Sequence, residues 1–331
     1  MRRVLVTGAA GFLGFALARR LSDDAATEVI VVDNFVRGER DAAYEALCRR
    51  PNVVERALDL ADAGAVADLP SEVEVIFHMA ALNGTQNFYE RPLEVMRCST
   101  LPTMALLARY ASSASLKRFV YAGTSEAYAG TVRRFGWPVP TAEDVPLCIE
   151  DVTNPRWSYA VSKLHGEVAV CNACRVAEKE FVIIRFHNAY GPRMGDKHVV
   201  PDFIARMLEG RYVLYGYEDT RAFIYVDDAV QATIALGSAA AAAGEVVNLG
   251  GTTETRIEDL GRLLMKLHGV DGELELAPSP PGSVSRRVPD VTKLERLIDF
   301  RPTVTLEEGL RRTLDDYVSM ANNEAAPTRS E

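Results

Sequence analysis

Basic residues are in short supply. The 331-residue chain carries 37 Lys and Arg against 46 Asp and Glu, a net charge of -9. Such a chain has no basic footprint for nucleic acid, although a local pocket of arginines for a phosphate is compatible with it. Long apolar runs are also lacking: nothing approaches the roughly 18 residues of a membrane span, and the apolar stretch after Met1-Arg2-Arg3 is too short for a secretory signal. Cysteine is sparse and odd in number, five in all, which argues against a disulfide framework. Cys171 and Cys174 form a C-x-x-C pair, but inside a predicted helix and with no second pair to complete a zinc site. The five histidines (His78, His165, His187, His198, His268) show no ligand spacing, and His78, at the end of an apolar run, suits a core or loop role better. No metal, membrane or nucleic-acid partner is expected, and the expected location is cytoplasmic.

What the sequence does contain is a strand, a glycine turn and a helix in immediate succession. Arg3 to Thr7 is a short apolar run, Gly8-Ala-Ala-Gly11-Phe12-Leu13-Gly14 follows it, and an apolar helix pattern begins at Phe12. Glycines in this context allow a tight turn and let a pyrophosphate approach the backbone at the positive end of a helix. The spacing is G-x-x-G-x-x-G rather than the commoner G-x-G-x-x-G. About twenty residues on, Glu28-Val-Ile-Val-Val-Asp33 is a second buried strand ending in an acid suited to the adenosine ribose hydroxyls, which favours NAD; Arg37 nearby keeps NADP as the lesser alternative. The plainer reading of Asp33 is a helix-capping residue in a loop.

The alternation continues through Val53–Ala57, then Val75–Ala81 with its small terminal residues Ala80 and Ala81, a crossover helix from Leu93 to Ala111, and Arg118–Ala122. This rhythm predicts an α/β fold, a Rossmann-like doubly wound parallel sheet whose ligands gather at the carboxyl ends of the strands. Residues 1–190 are expected to form the cofactor-binding domain, with 226–250 returning to it. Residues 191–225 and 251–318 are expected to form a smaller substrate-binding lobe, and 319–331 a disordered tail.

At the end of the fifth strand stands Thr124-Ser125-Glu126, a hydroxyl and a carboxylate where substrate chemistry is expected; capping or turn roles are the blander reading. A long polar, proline-bearing loop over 129–156 reads as a substrate-covering insertion. It leads to Trp157-Ser158-Tyr159-Ala160-Val161-Ser162-Lys163, in which Tyr159 and Lys163 fall on one helical face. A fixed ammonium beside a phenol would pull a group that titrates near pH ~10 toward neutrality and make it a base. The alternative is a half-buried tyrosine under a lysine stem.

Together these segments, with Asp33-Asn34, Asp59-Leu60, His78-Met79-Ala80-Ala81, Asn188-Ala-Tyr190-Gly191-Pro192-Arg193 and Arg221-Ala-Phe223-Ile-Tyr225-Val226-Asp227-Asp228, resemble the extended short-chain dehydrogenase/reductases that modify nucleotide sugars. The resemblance spans residues 3 to 317. It implies NAD as cofactor, a nucleotide-diphosphate sugar as substrate and a homodimer built on the helices near 93–111 and 157–178. By that resemblance Tyr159 takes the proton of the sugar C4 hydroxyl, Lys163 lowers the Tyr159 pKa and binds the nicotinamide ribose, and Thr124 hydrogen-bonds O4. Asp59 and Leu60 match positions that contact adenine, and Asn188, Arg221 and Arg287 match positions that hold the diphosphate. Asn83, Thr85, Ser125 and Val200 are placed on the substrate side. Arg286 reads as surface charge.

Oxidation at C4 opens three outcomes: epimerisation, dehydration or, for a uronic acid, decarboxylation. The small uncharged residues around Tyr159 are similar to those of epimerases, which puts C4 epimerisation first. Glu126 is similar to the carboxylate of dehydratases and UDP-glucuronate decarboxylases, which keeps both as alternatives. A sensor that binds without turnover is disfavoured by the presence of Thr124, Tyr159 and Lys163 together.

Overall fold

The computed structural model describes residues 1–62, 64–195, 198–279 and 284–325. Its centre is a seven-stranded, fully parallel sheet in the order Glu245–Leu249, Glu180–Phe186, Arg118–Thr124, Val75–His78, Arg2–Thr7, Thr27–Asp33, Val53–Ala57. The inner strands are near-continuous apolar runs because both faces are covered. Alternate side chains supply two cores: Val4, Val6, Val29, Val31 and Phe77 pack to one side with Phe15 and Leu17 of helix Phe12–Leu21. Leu5, Ile30, Ile76 and Phe119 pack to the other, with Leu106 and Tyr110 of helix Pro92–Tyr110 and Val170 of helix Trp157–Val176.

Strand order reverses between Arg2–Thr7 and Val75–His78, and the crevice beyond their carboxyl ends is where such sheets bind ligands. A buried polar pillar braces it. His78 is fully buried, its Nδ1 2.7 Å from Thr7 Oγ1 and its Nε2 2.9 Å from Thr103 Oγ1, and the Ala80 N–H donates to Thr7 Oγ1 at 3.2 Å. Burial pushes the imidazole pKa down to about 3, so it is neutral and structural.

Residues 226–249 include helix Val226–Leu236 and strand Glu245–Leu249, which adds to the sheet beside Glu180–Phe186. The remaining C-terminal segments build three small sheets: Thr220–Ala222 between Glu254–Arg256 and Arg286–Arg287, Val213–Tyr215 with Glu275–Ala277, and Ile224–Tyr225 with Ala189–Tyr190.

Two expectations need correction. Residues 129–156 are not all loop: Ser125–Tyr128 is a 3-10 turn that runs into helix Ala129–Phe135, ended by Gly136 at φ 60. Small Ala129 and Gly130 let that helix lie against the chain, with a Cβ at Gly130 falling 2.1 Å from the Cys148 carbonyl oxygen. Residues 319–325 are not a disordered tail, because they belong to helix Leu306–Ala325, which carries i, i+4 pairs such as Arg312–Glu308; residues 326–331 lie outside the described residues. So do residues 280–283.

Candidate active site

The glycine turn is built by contact. A Cβ at Gly14 would stand 2.0 Å from the Gly8 carbonyl oxygen, and one at Gly8, whose φ is +70, would press on Ala80 backbone at 2.9 Å. Any side chain at these positions fills the crevice or breaks the turn. Helix Phe12–Leu21 follows with Gly11 as its N-cap and no side chain on its first N–H groups, which suits an anion. Asp33 ends the second strand, buried, with Oδ2 accepting the Ala10 N–H at 2.9 Å and Oδ1 accepting the Phe35 N–H at 2.8 Å. Burial raises its pKa and those N–H groups oppose the rise. This is a positioned carboxylate with lone pairs left for two hydroxyls.

Asp59 lies farther along the same edge, held by Arg97 Nη2 at 2.6 Å and Asn34 Nδ2 at 3.2 Å. Burial raises its pKa, but the Arg97 hydrogen bond and its companions outweigh burial and leave the carboxyl below its usual range. Glycine turn, Asp33, Asn34, Asp59, Leu60, Ala80 and Ala81 therefore line one end of a continuous cavity of about 1550 Å³. Its dimensions, its close backbone approach and its ordered carboxylate fit a dinucleotide.

The middle of the cavity holds Tyr159 and Lys163, one turn apart on helix Trp157–Val176, facing Thr124. Phe88, from helix Thr85–Glu90, stacks on Tyr159 with centroids 5.1 Å apart and planes 11° apart. Burial raises the phenol to about 12; Arg37 pulls it down, Glu126 pushes it up, and hydrogen bonding to Asn83 and Thr124 lowers it. Lys163, 2% exposed, lies 4.9 Å over the Tyr121 ring and 6.0 Å over the Tyr159 ring. Burial draws its pKa down to about 7, against the pull of Glu167. The expectation that Lys163 depresses the phenol is therefore not what the protein alone displays. Both groups are displaced toward their neutral forms by the same cause, removal from water, and the cation that eases Tyr159 is Arg37.

Glu126 is held at both of its oxygens. Its Oε1 meets Arg287 Nη2 at 2.8 Å and its Oε2 meets Arg156 Nη2 at 3.1 Å. Burial acts to raise its pKa, but Arg287 and then Arg156 override burial and hold it below the usual carboxylate range. Arg221 pairs with Asp219 at 3.3 Å, and burial with the charge of Arg287 lowers its pKa to about 10. Asn188, at φ 40, spends its Nδ2 on the Ala222 carbonyl at 3.1 Å, tying two small-sheet segments together. Arg286 is exposed and bound to Glu254, the surface role expected of it.

All the candidate residues line this one cavity, including Asn83, Thr85, Ser125 and Val200. A model of the NAD-dependent epimerase/dehydratase family matches residues 4–250. The chain belongs to that family. It is 32% identical to the UDP-N-acetyl-alpha-D-glucosaminuronate decarboxylase of Bacillus cytotoxicus over 97% of this chain and 99% of the relative. It is 30% identical to the UDP-glucose 4-epimerase of Mycolicibacterium smegmatis over 95% and 98%. The UDP-glucuronic acid 4-epimerase of Bacillus cereus, solved as a point mutant in complex with NAD, superposes with a TM-score of 0.85 at 26% identity, covering 96% of this chain and 99% of that one. The protein is thus an NAD-dependent enzyme of nucleotide-sugar chemistry.

Sequence reasoning misses three site residues. Arg156 carries a signal, since it stands three residues before Tyr159 and so one helical turn away. Arg193 is visible only as part of a motif; it pairs with Asp41, donates to the Ala10 carbonyl at 3.2 Å and lies 4.1 Å over Phe15, tying the C-terminal segments to the glycine turn. Phe88 has no signal, because its role follows from how a six-residue helix is seated. Among the described residues no cluster of three or more His, Cys, Asp or Glu forms a metal site, all five cysteines are free thiols, and no helix is long and apolar enough to cross a membrane.

Proposed function

We propose that the enzyme oxidises the C4 hydroxyl of a nucleotide-diphosphate sugar and returns the hydride within the same catalytic cycle. The observation that carries this reading is the convergence of Thr124, Tyr159 and Lys163 at the middle of a cavity with a dinucleotide-shaped end and an arginine-lined end. Bound NAD+ supplies the hydride acceptor and, once reduced, the donor. Tyr159 takes the hydroxyl proton and gives it back, Thr124 fixes O4, and Lys163 holds a ribose hydroxyl beside them. Arg221, Asn188 and Arg287 supply the diphosphate end, the arginines as forked donors.

The outcome this arrangement supports first is C4 epimerisation, which asks for no acid or base beyond Tyr159. Dehydration would need a base for the C5 proton and an acid for the C6 hydroxyl. Glu126, bound at both oxygens and held below its usual range, is a weakened base and an ionised, hence absent, acid. Decarboxylation of a uronic acid is a second reading, favoured by the two guanidiniums beside Glu126 and by the decarboxylase relative. A β-keto acid loses CO2 once C4 is a ketone. Mass analysis of a panel of nucleotide sugars checks the proposal: an isomer of unchanged mass is expected for epimerisation and a loss of about 44 for decarboxylation, with no net absorbance at about 340 nm in either case. A stoichiometric rise or fall at that wavelength would show an open redox reaction and sink the closed cycle.

A homodimer in the cytoplasm is part of the same proposal. Helix Pro92–Tyr110 exposes Leu93 at 80%, with Met96, Leu101 and Met104, and the adjoining helix Trp157–Val176 exposes Val168 and Val176. Apolar side chains gathered on neighbouring helices suit a self-complementary interface. Sedimentation at micromolar concentration is expected to give twice the chain mass, and Leu93→Glu with Met104→Glu the monomer. A wild-type monomer would refute it.

A further inference from the structure

We infer that Arg193 is a positioning residue for the cofactor: it clasps the loop after Asp33 onto the glycine turn, and this clasp keeps NAD in place through the whole catalytic cycle. The need for retention rests on the closed redox cycle proposed above, which returns the hydride to the same sugar and so requires that the cofactor not be exchanged between the two transfers. The geometry stands without that reading.

Segments distant in sequence meet at this arginine. Residues 34–41, between strand Thr27–Asp33 and helix Ala42–Cys48, run alongside the glycine turn, and Val36, Arg37, Gly38 and Asp41 line the cavity there. The approach is so close that a Cβ at Gly38 would fall 2.7 Å from the Ala10 carbonyl carbon. At the far end of the loop Asp41 Oδ2 pairs with Arg193. Arg193 Nη2 donates to the Ala10 carbonyl at 3.2 Å, and the guanidinium lies 4.1 Å over the Phe15 ring. One side chain thus joins the loop, the turn suited to the pyrophosphate and the first turn of the helix behind it.

The arginine is itself held from behind. Its side chain is 15% exposed, and its backbone takes φ 65, a region that side chains other than glycine rarely adopt. Helix Leu306–Ala325 backs it: Asp316 feels the Arg193 charge, and Tyr317 donates its hydroxyl to the Gly195 carbonyl at 3.3 Å. Asp41 is the more exposed member of the pair, at 37%, so the clasp opens on the loop side while Arg193 stays on Ala10. Asp33, suited to the adenosine ribose, stands at the base of that loop, and the glycine turn lies against it. Release of a dinucleotide from these two groups requires the loop to lift, and lifting it breaks a charge-assisted contact.

Cofactor exchange tests the inference with no sugar present. Enzyme loaded with NAD+ is mixed with excess isotopically labelled NAD+, and the bound cofactor is followed by mass spectrometry in the wild type, Asp41→Asn, Arg193→Met and the double variant. Asp41→Asn is the cleaner change, because asparagine keeps an oxygen for the Tyr44 N–H that Asp41 Oδ1 caps at 2.8 Å and turns an amide toward Arg193. It is expected to exchange about 10-fold faster than wild type and Arg193→Met about 100-fold faster, as for loss of hydrogen bonds to a charged group. The double variant should be no faster than Arg193→Met, since the pair is then already gone. The melting temperature of NAD-free Asp41→Asn should stay within about 2 °C of wild type. Exchange in Asp41→Asn within about 3-fold of wild type would make the pair a surface brace and overturn the inference, whatever Arg193→Met does. A wild type that swaps its cofactor completely within the mixing time overturns it too. Failure of the C4 reading is told apart, because it shows in the absorbance at about 340 nm with sugar present and leaves these exchange rates as they are.

Discussion

Replacing Tyr159 by Phe is expected to lower kcat by about 10²–10⁴, the range for loss of a positioned acid–base group, while the protein stays folded and keeps its nucleotide affinity within about 3-fold. Folding is spared because the ring survives. Phe88 stacks on it face to face, and the side chain is buried against Ala81, Leu82 and Val95, so deleting one oxygen removes chemistry and leaves shape. The lost oxygen is the one that faces Asn83 and Thr124. Burial holds the phenol near 12, so at neutral pH the base is scarce in the protein alone, and the wild-type rate should climb with pH on the alkaline side. That climb is expected to vanish in the variant, together with the transient absorbance of reduced nicotinamide. If Tyr159→Phe retains kcat within 10-fold of wild type, roughly 1.4 kcal/mol of barrier, the proton goes elsewhere and Thr124 becomes the residue to test.

The sheet is legible in the sequence because parallel strands buried on both faces write themselves as apolar runs, and the runs ending at Thr7, Asp33 and Ala57 are all strands. The run to Ala81 overshoots its strand: pairing stops at His78, and Met79 and Ala80 leave the sheet to meet the glycine turn. Site residues set by backbone proximity to strand ends, such as Asp33 and Thr124, are legible for the same reason. Charge relations are not. Nothing local in the sequence says that Arg287, 161 positions after Glu126, closes on it, or that Arg37 is the cation easing Tyr159. These are products of how the small C-terminal sheets and the loop after Asp33 are laid over the strand ends. The helix at Ala129–Phe135 escapes detection because its residues, Ala-Gly-Thr-Val-Arg-Arg-Phe, have no apolar periodicity long enough to register.

Lys163→Met is expected to cost activity and gain stability, and the two effects separate by pH. The ammonium is buried beneath Tyr121 and beside Tyr159, with only Glu167 favouring its charge, and Glu167 is itself claimed by Arg185 at 2.7 Å. In the unfolded chain the amine titrates at its ordinary value of 10.5; folded, it is drawn down to about 7. Between those values the unfolded chain binds more protons, so stability rises with pH across that window. Below about 7 the folded protein carries the full penalty of a buried cation, and above 10.5 it carries none. Methionine, of similar length and without charge, removes the penalty. The NAD-free variant should therefore melt higher than wild type by roughly 3–6 °C at pH 6, with the gap closing as pH approaches 10. Its kcat should fall by about 10²–10³, because the amine that holds the ribose beside Tyr159 is gone. Melting curves at pH 6, 8 and 10 decide the matter: an equal shift at all three would mean that methionine merely packs better. A lower melting temperature at pH 6 would mean that Lys163 is a stabilising core residue, and the reading of this lysine as a charge kept buried for catalysis would fail.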